Sequence, residues 1–587
     1  MMVDLPDPTA GAAHVMPSTL VQRIITVLGV GLVIGAVTAV AAIAFVEAVL
    51  WLNDLLLVSS YAKVQSGLSP TALLIVTLAV PMSGGALVSF IVFRLAPIHR
   101  PAGPADAIRA VQLQEPMPDT RSGLIVTLGA LGSLGVGASV GQYGPMVFLG
   151  AVIGGMVKKL RLDVPNVDAI AIACGVAAAI SAAFNAPIAG LVFAHEAILR
   201  HYSMQAFAPV TIASTVGYVV ANVFFERAPV FVVQTGVYLK APEFAIFALM
   251  GLICGAVSIM YMRALLAGAR IGGRLKLAPE ARGAIAGLLV GLCALWLPEI
   301  TGLGQYTLRF ATIEGAFAAS DMVMILVGKI VLTAICLGMG FVGGVFSPAL
   351  IVGSMLGGLV WTGLTALGIE ELAALPVYVI CAMMAVTSPV IGAPLTAILI
   401  VFELTRSYEL AIASMVVVVF SNVTAFRFFG RSLFDMQLFL RGCDLSQGRA
   451  EAQLSGLPVR DYAVAEAPIF EVGLGQGAVR ATLDAHGWNE GYAVDAKGVF
   501  QGYLRIIDLD AGSPAPVADI LRPAQIVFDA DMSVRDAMRL LKDFVGDAIP
   551  IVDRDSQLLV GVVTEAAIVR AYLDIVAKLR SEEHAGL

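Results

Sequence analysis

From about Val21 to Phe429 the chain is written in long apolar runs with few charged interruptions. The first, Ile24 to Leu52 (IITVLGVGLVIGAVTAVAAIAFVEAVLWL), is long enough to cross a bilayer with tilt. Further runs lie near 71–95, 123–155, 167–198, 206–224, 242–266, 283–297, 322–368, 374–403 and 409–429. The pattern predicts a series of membrane helices. Several runs are short or broken by Gly and Pro. Such helices survive in a membrane only where protein buries them or where they border a water-filled path. The pattern therefore favours a transporter or channel over a plain helical bundle. Residues 1–20 are polar, with no basic stretch leading into an apolar one, so no secretory signal is expected. From about Arg441 the text changes to ordinary charge density with strand-like runs such as Gln557–Thr564 (QLLVGVVT). That change predicts a soluble α/β domain over 441–587.

Composition sharpens this reading. Of 587 residues, 58% are hydrophobic and only 13% charged, where soluble domains carry about 25% charge. Mean hydropathy is +0.88. An ordinary cytosolic enzyme and a disordered chain are both excluded. The net charge of −7 is mild and gives no reason to expect nucleic acid as a partner. The six cysteines are far apart, without metal-ligand spacing, and read as small packing residues. No metal site and no catalytic constellation is expected, so no enzyme activity is either. The basic clusters Lys158/Lys159/Arg161 and Arg427/Arg431 are candidate cytoplasmic markers, most useful on the C-terminal side.

The apolar part repeats itself. Asn185–Glu196 reads NAPIAGLVFAHE and Gly392–Glu403 reads GAPLTAILIVFE, with Ala-Pro and a final Glu at matching places. Pro145 is followed by Gly150, Gly154 and Gly155, and Pro348 by Gly353, Gly357 and Gly358, at the same spacings. Duplicated halves are common in secondary transporters, which bind substrate near the repeat interface. In each half, loop-like glycines run into a proline and then an apolar helix: Gly137–Ala151 (GASVGQYGPMVFLGA) and Gly338–Ser354 (GMGFVGGVFSPALIVGS). Proline fits a helix's first turn, and glycine lets backbone approach a ligand. Free N–H groups and about half a positive charge mark a helix N-terminus. Two such ends meeting at mid-membrane would hold an anion without a fixed cation. The alternative is a pair of kinks used only for packing.

At these residues the sequence resembles the CLC family of chloride channels and chloride/proton exchangers. GQYGP (141–145) is similar to the family's G-K/R-E-G-P, and GGVFSPAL (343–350) to G-G-x-F-x-P-x-L. PEITGLGQY (298–306), RSLFDMQLFLRG (431–442) and the two Ala-Pro helices match as well. The tail resembles a pair of cystathionine-β-synthase (CBS) domains. The resemblance covers residues 21–575. It implies an all-α polytopic membrane fold of two inverted repeats with broken helices, plus a cytoplasmic α/β CBS pair. The expected layout is a cytoplasmic segment over 1–20, a transmembrane domain over 21–440 (repeats about 21–225 and 240–440), and tandem CBS domains over 441–587. It also implies a homodimer in the inner cell membrane, with one pore per subunit and both termini cytoplasmic. By the same resemblance, the backbone amides of Val345 and Phe346 hold the central anion, and Gly141, Gln142, Tyr143, Gly144 and Ser347 border the outer site.

The departures from the family pattern carry most of the information. The gating glutamate of the motif is Tyr143 here, and a phenol, with a pKa of about 10, is neutral at pH 7. The inner proton glutamate falls at Ala197, the pore tyrosine at Phe434, and the serine of G-S-G-I-P at Ala102. Both proton stations and both hydroxyl donors are thus replaced. His195 and Glu196 stand together in an apolar helix; a structural role and a role on a water path are both open. In the tail, the ribose-binding Asp position of the second CBS copy reads Ala567, while the first keeps Asp508 but has Arg505 where Thr is usual. Adenine nucleotide is therefore not expected, nor any other cofactor. The resulting expectation is passive conduction of chloride and similar small anions, gated at Tyr143. The alternatives are proton-coupled exchange through other groups, and a non-conducting sensor that signals through the tail.

Overall fold

Why the apolar runs break where they do is a matter of backbone conformation. The computed structural model describes residues 17–162, 164, 166–225, 239–369 and 371–584. The run over 123–155 forms two helices, Thr120–Gly135 and Tyr143–Gly155, and the run over 322–368 forms Ala319–Met339 and Phe346–Ala366. Between them the chain turns through Gly137 (φ +83°) and Gly340 (φ +125°), conformations that cost a side chain dearly. Among the described residues, nine helices are long and apolar enough to cross a membrane. Pro187–Leu199, Leu375–Ile391 and Pro394–Thr405 are apolar but shorter. The first helix begins at Pro17, so most of the expected N-terminal segment 1–20 lies outside the described residues, as does the connection 226–238 between the repeats.

The two halves share conformation as well as letters. Asn185 and Gly392 both cap the preceding helix in the left-handed region, at φ +60° and +71°. Ala186 (φ −134°, ψ 82°) and Ala393 (φ −137°, ψ 75°) then enter the Ala-Pro helices in nearly the same way. Downstream, Arg200 and Arg406 are again left-handed, and Ser203 and Ser407 cap the next helices. The repeated glycines have a packing cause. A Cβ on Gly150 would stand 2.3 Å from the Gly175 carbonyl oxygen, and one on Gly353 would stand 2.6 Å from that of Ala382. Each repeat therefore lays its Gly-Pro helix directly on the backbone of the next helix, as small residues permit in membranes.

The chain divides into two units between Arg441 and Gly442. The second unit builds one pattern twice. Strands β1 (Ile469–Glu471), β2 (Glu490–Val494) and β3 (Phe500–Arg505) form one sheet, and β4 (Phe528–Asp529), β5 (Ile549–Val552) and β6 (Leu559–Val563) another. In each, the first pair is parallel and the second antiparallel. A parallel pair needs a crossover; the helices Gln476–His486 and Val534–Leu540 supply it. Separate apolar cores, one around Val479, Leu483 and Leu504 and one around Phe528, Ile549 and Ile551, hold the two copies.

Candidate anion site

The Tyr143 helix has 13 residues. At 1.5 Å per residue it is about 20 Å long, well short of the ~30 Å apolar core of a bilayer. Its buried start is fixed by the other repeat. Gly141 N–H donates to the Gly344 carbonyl at 2.7 Å, and Gly344 N–H donates to the Gly141 carbonyl at 2.7 Å. Each half thus offers the other the same two groups, which is the signature of a local two-fold axis. The approach leaves no room for side chains: a Cβ on Gly344 would lie 2.7 Å from Gly144 N, and one on Gly144 2.7 Å from Gly344 Cα. The helix beginning at Phe346 therefore starts beside the one beginning at Tyr143.

A cavity of about 320 Å³ opens next to these starts. Ala102, Tyr143, Gly144, Val345, Phe346 and Phe434 all line it, although they come from four separate stretches of chain. Tyr143 is the only side chain bearing a hydroxyl among the lining residues. Gly141, Gln142 and Ser347 do not line this cavity; all three are buried behind it at the bridge. Ser347 Oγ and Gln142 Oε1 are buried there without a hydrogen-bond partner among the described residues. The first N–H groups of the Phe346 helix have no acceptor within the helix. A negative ion placed here would meet backbone donors and the positive end of a helix.

Three rings crowd the helix starts. Tyr143 stacks on Phe184 with centroids 3.9 Å apart and planes 22° from parallel, and meets Phe346 edge-on at 5.3 Å. Phe184 and Phe346 are 5.1 Å apart. Only 5% of Tyr143 is exposed. The lining also carries charge, at Asp106 and Arg441. Asp106 accepts from Arg100 Nη2 at 2.5 Å, from Arg441 Nη1 at 3.0 Å and from Gly103 N–H at 2.9 Å. Two guanidinium groups on one carboxylate leave this cluster net positive, and Arg441 keeps 32% of its side chain exposed. A low-dielectric cleft beside such a cluster concentrates anions.

Comparison with known proteins places the chain in a family. The profile of the voltage gated chloride channel family matches residues 84–425, and a CBS domain profile matches 517–574. A Ralstonia nicotianae protein whose name describes it as ClcB-like is 30% identical over 407 residues, covering 68% of this chain and 93% of the relative. The chain belongs to the voltage gated chloride channel, or CLC, family. An H(+)/Cl(−) exchange transporter ClcA from Citrobacter koseri is 30% identical over 68% of this chain and 85% of its own length. The crystal structure of a slow cyanobacterial Cl−/H+ antiporter superposes with a TM-score of 0.65 at 24% identity, over 71% of this chain and 97% of that one. A eukaryotic CLC transporter superposes with a TM-score of 0.63 at 17% identity, over 94% and 98%. At those identities the two structures speak to fold alone. This CLC protein is a multi-pass membrane protein that carries anions, with its CBS region following the last span on the cytoplasmic side.

Within the CLC fold, Glu196 has a defined contact. Its two oxygens accept from Leu395 N–H at 2.9 Å, Thr396 N–H at 2.8 Å and the Thr396 hydroxyl at 2.7 Å. Glu403, its counterpart, accepts from Ile188 N–H at 2.9 Å and Ala189 N–H at 2.7 Å. Each repeat's terminal glutamate caps the Ala-Pro helix of the other, a charge-assisted bond to free N–H groups. Of the two roles open for Glu196, the geometry shows the structural one. Ala197 is buried and offers no titratable group. His195 is fully buried, with Nδ1 3.0 Å from the His201 carbonyl and its ring stacked on Tyr202. In the CBS region, Asp508 is engaged by Arg522 Nη2 at 2.9 Å and Arg505 Nε at 3.3 Å.

Two residues at the site escaped the sequence reading. Phe184 ends the helix before Asn-Ala-Pro, and its place one residue upstream of a repeat motif was the available signal. Tyr261, in the Glu243–Arg274 helix, donates its hydroxyl to the Val345 carbonyl at 2.9 Å. Nothing in the sequence marks it, because a single tyrosine in an apolar helix has no pattern.

Proposed function

We propose that this protein conducts chloride and similar small anions passively, as a homodimer with one pore per subunit, and does not exchange them for protons. The observation that carries the reading is Tyr143: a neutral, ring-packed side chain stands where the family motif has a movable carboxylate. The family's second proton station falls at Ala197, which cannot titrate, and Glu196 is committed to a helix cap. Anions would be held by the amides of Val345 and Phe346, with the outer position bordered by Gly141, Gln142, Gly144 and Ser347. Ala102 and Phe434 form walls without hydroxyls. Neither CBS copy offers a free ribose-binding carboxylate, so the tail should fold without adenine nucleotide. Calorimetry of the full-length protein with ATP checks this, and micromolar binding would contradict it.

The test of uncoupled conduction is made on proteoliposomes under a chloride gradient with external pH recorded. Chloride should flow without stoichiometric proton movement. Tyr143→Ala should raise the flux, Tyr143→Phe should leave it nearly unchanged, and Tyr143→Glu should add a pH dependence. Proton uptake in fixed ratio to chloride would overturn the reading. It would favour the second one, proton-coupled exchange, for which the exchange-transporter names of relatives at 30% identity are the supporting observation.

A further inference from the structure

The peptide joining Val345 to Phe346 has the Val345 carbonyl on one edge and the Phe346 N–H on the other, pointing in opposite directions. Phe346 opens its helix, so that N–H points back from the helix start, where both residues line the cavity. The carbonyl points the other way and accepts two bonds. One is the ordinary first helical bond from Ala349 N–H, at 3.2 Å. The other, shorter at 2.9 Å, comes from the Tyr261 hydroxyl, on a side chain with no exposed surface. Tyr261 does not line the cavity, although Leu265, Leu266 and Ala269 farther along the same helix do.

We propose that Tyr261 is a positioning residue for the central anion: its hydroxyl holds the plane of the Val345–Phe346 peptide and strengthens the Phe346 N–H as a donor. The inference rests on the reading that this N–H holds the ion. A hydrogen bond to the carbonyl draws electron density through the amide, so the N–H on its far edge becomes more positive. Linked hydrogen bonds strengthen one another by about 10–30% in this way. The effect matters here because Ala102 and Phe434 supply no hydroxyl. Backbone donors then carry a larger share of the ion's solvation, and a change in one of them is felt in the affinity.

Tyr261→Phe removes the hydroxyl and keeps the ring and its packing. Ser258→Ala is the matched control. Ser258 lies one turn earlier on the same helix, is equally buried, and donates to the Val386 carbonyl at 2.7 Å, away from the cavity. Both variants should lower the thermal midpoint of the purified full-length protein to a similar extent. Calorimetric titration with bromide should show affinity weakened about two- to fivefold in Tyr261→Phe and unchanged in Ser258→Ala. A bromide anomalous peak at Phe346 N–H in wild-type crystals is expected; a peak elsewhere overturns the site reading and this proposal with it. With the peak in place, unchanged affinity in Tyr261→Phe overturns the role of Tyr261 alone. Equal weakening in Ser258→Ala assigns the effect to packing and also overturns it.

Discussion

Removing Glu196 should cost stability and leave the pH dependence of transport untouched. In Glu196→Ala three hydrogen bonds disappear, from Leu395 N–H, Thr396 N–H and the Thr396 hydroxyl. Hydrogen bonds to a charged group are worth roughly 1.5–3 kcal/mol each. They share one carboxylate and one helix end, so the terms overlap and the total is about 3–5 kcal/mol. Thr396 is fully buried, which leaves its freed groups without water. Glu196→Gln keeps one acceptor oxygen and loses the charge, so about half the cost is expected. Glu403→Ala should cost less than Glu196→Ala, because Glu403 accepts two N–H bonds and no hydroxyl. The assay is the thermal midpoint of detergent-purified protein, with a fall of roughly 5 °C or more for Glu196→Ala. It is paired with chloride flux between pH 5 and 7.5. If Glu196→Gln keeps the wild-type midpoint but alters the pH profile of flux, Glu196 handles protons and the capping argument fails.

Gly344→Ala forces a Cβ to within 2.7 Å of Gly144 N, so the bridge between the repeats must open. A loss of about 1–3 kcal/mol and of most anion flux is expected, read from the thermal midpoint and from liposome efflux. Selectivity among chloride, bromide and nitrate should be loose, since backbone donors distinguish ions mainly by size and cost of dehydration, while strongly hydrated fluoride should be disfavoured. Bi-ionic reversal potentials measure this, and a fluoride-to-chloride permeability ratio well above one contradicts it. In the CBS region, burial, together with the nearby Asp547 carboxylate, raises the pKa of Glu490 above the ordinary carboxylate value of 4.5. A raised folded-state pKa means that the folded tail binds the proton more tightly than the unfolded chain. The contribution of this group is therefore complete at low pH and lost as pH rises past its folded pKa. Protease resistance of the tail in the full-length protein should fall from pH 5 to pH 8, and less so in Glu490→Gln; the reverse trend would refute the sign.

The spans, the break points and the duplication were legible in the sequence because they are local. Apolar run length is read directly against bilayer thickness. Gly137 and Gly340 permit turns that other residues resist, and the prolines of the Ala-Pro pairs fix φ at a helix start. The family motifs named Tyr143, Gly144, Val345 and Phe346, which line the cavity beside Ala102 and Phe434. Other features depend on contacts across the whole membrane unit. Gly141 meets Gly344, Glu196 caps a helix 199 residues downstream, and Asp106 holds Arg100 and Arg441 together. A helix's periodicity shows which of its faces is apolar, but not which distant carbonyl a single polar atom will reach. Phe184 and Tyr261 acquired their places only when helices far apart in sequence packed, because a buried ring or hydroxyl takes its partner from whatever backbone the fold brings beside it.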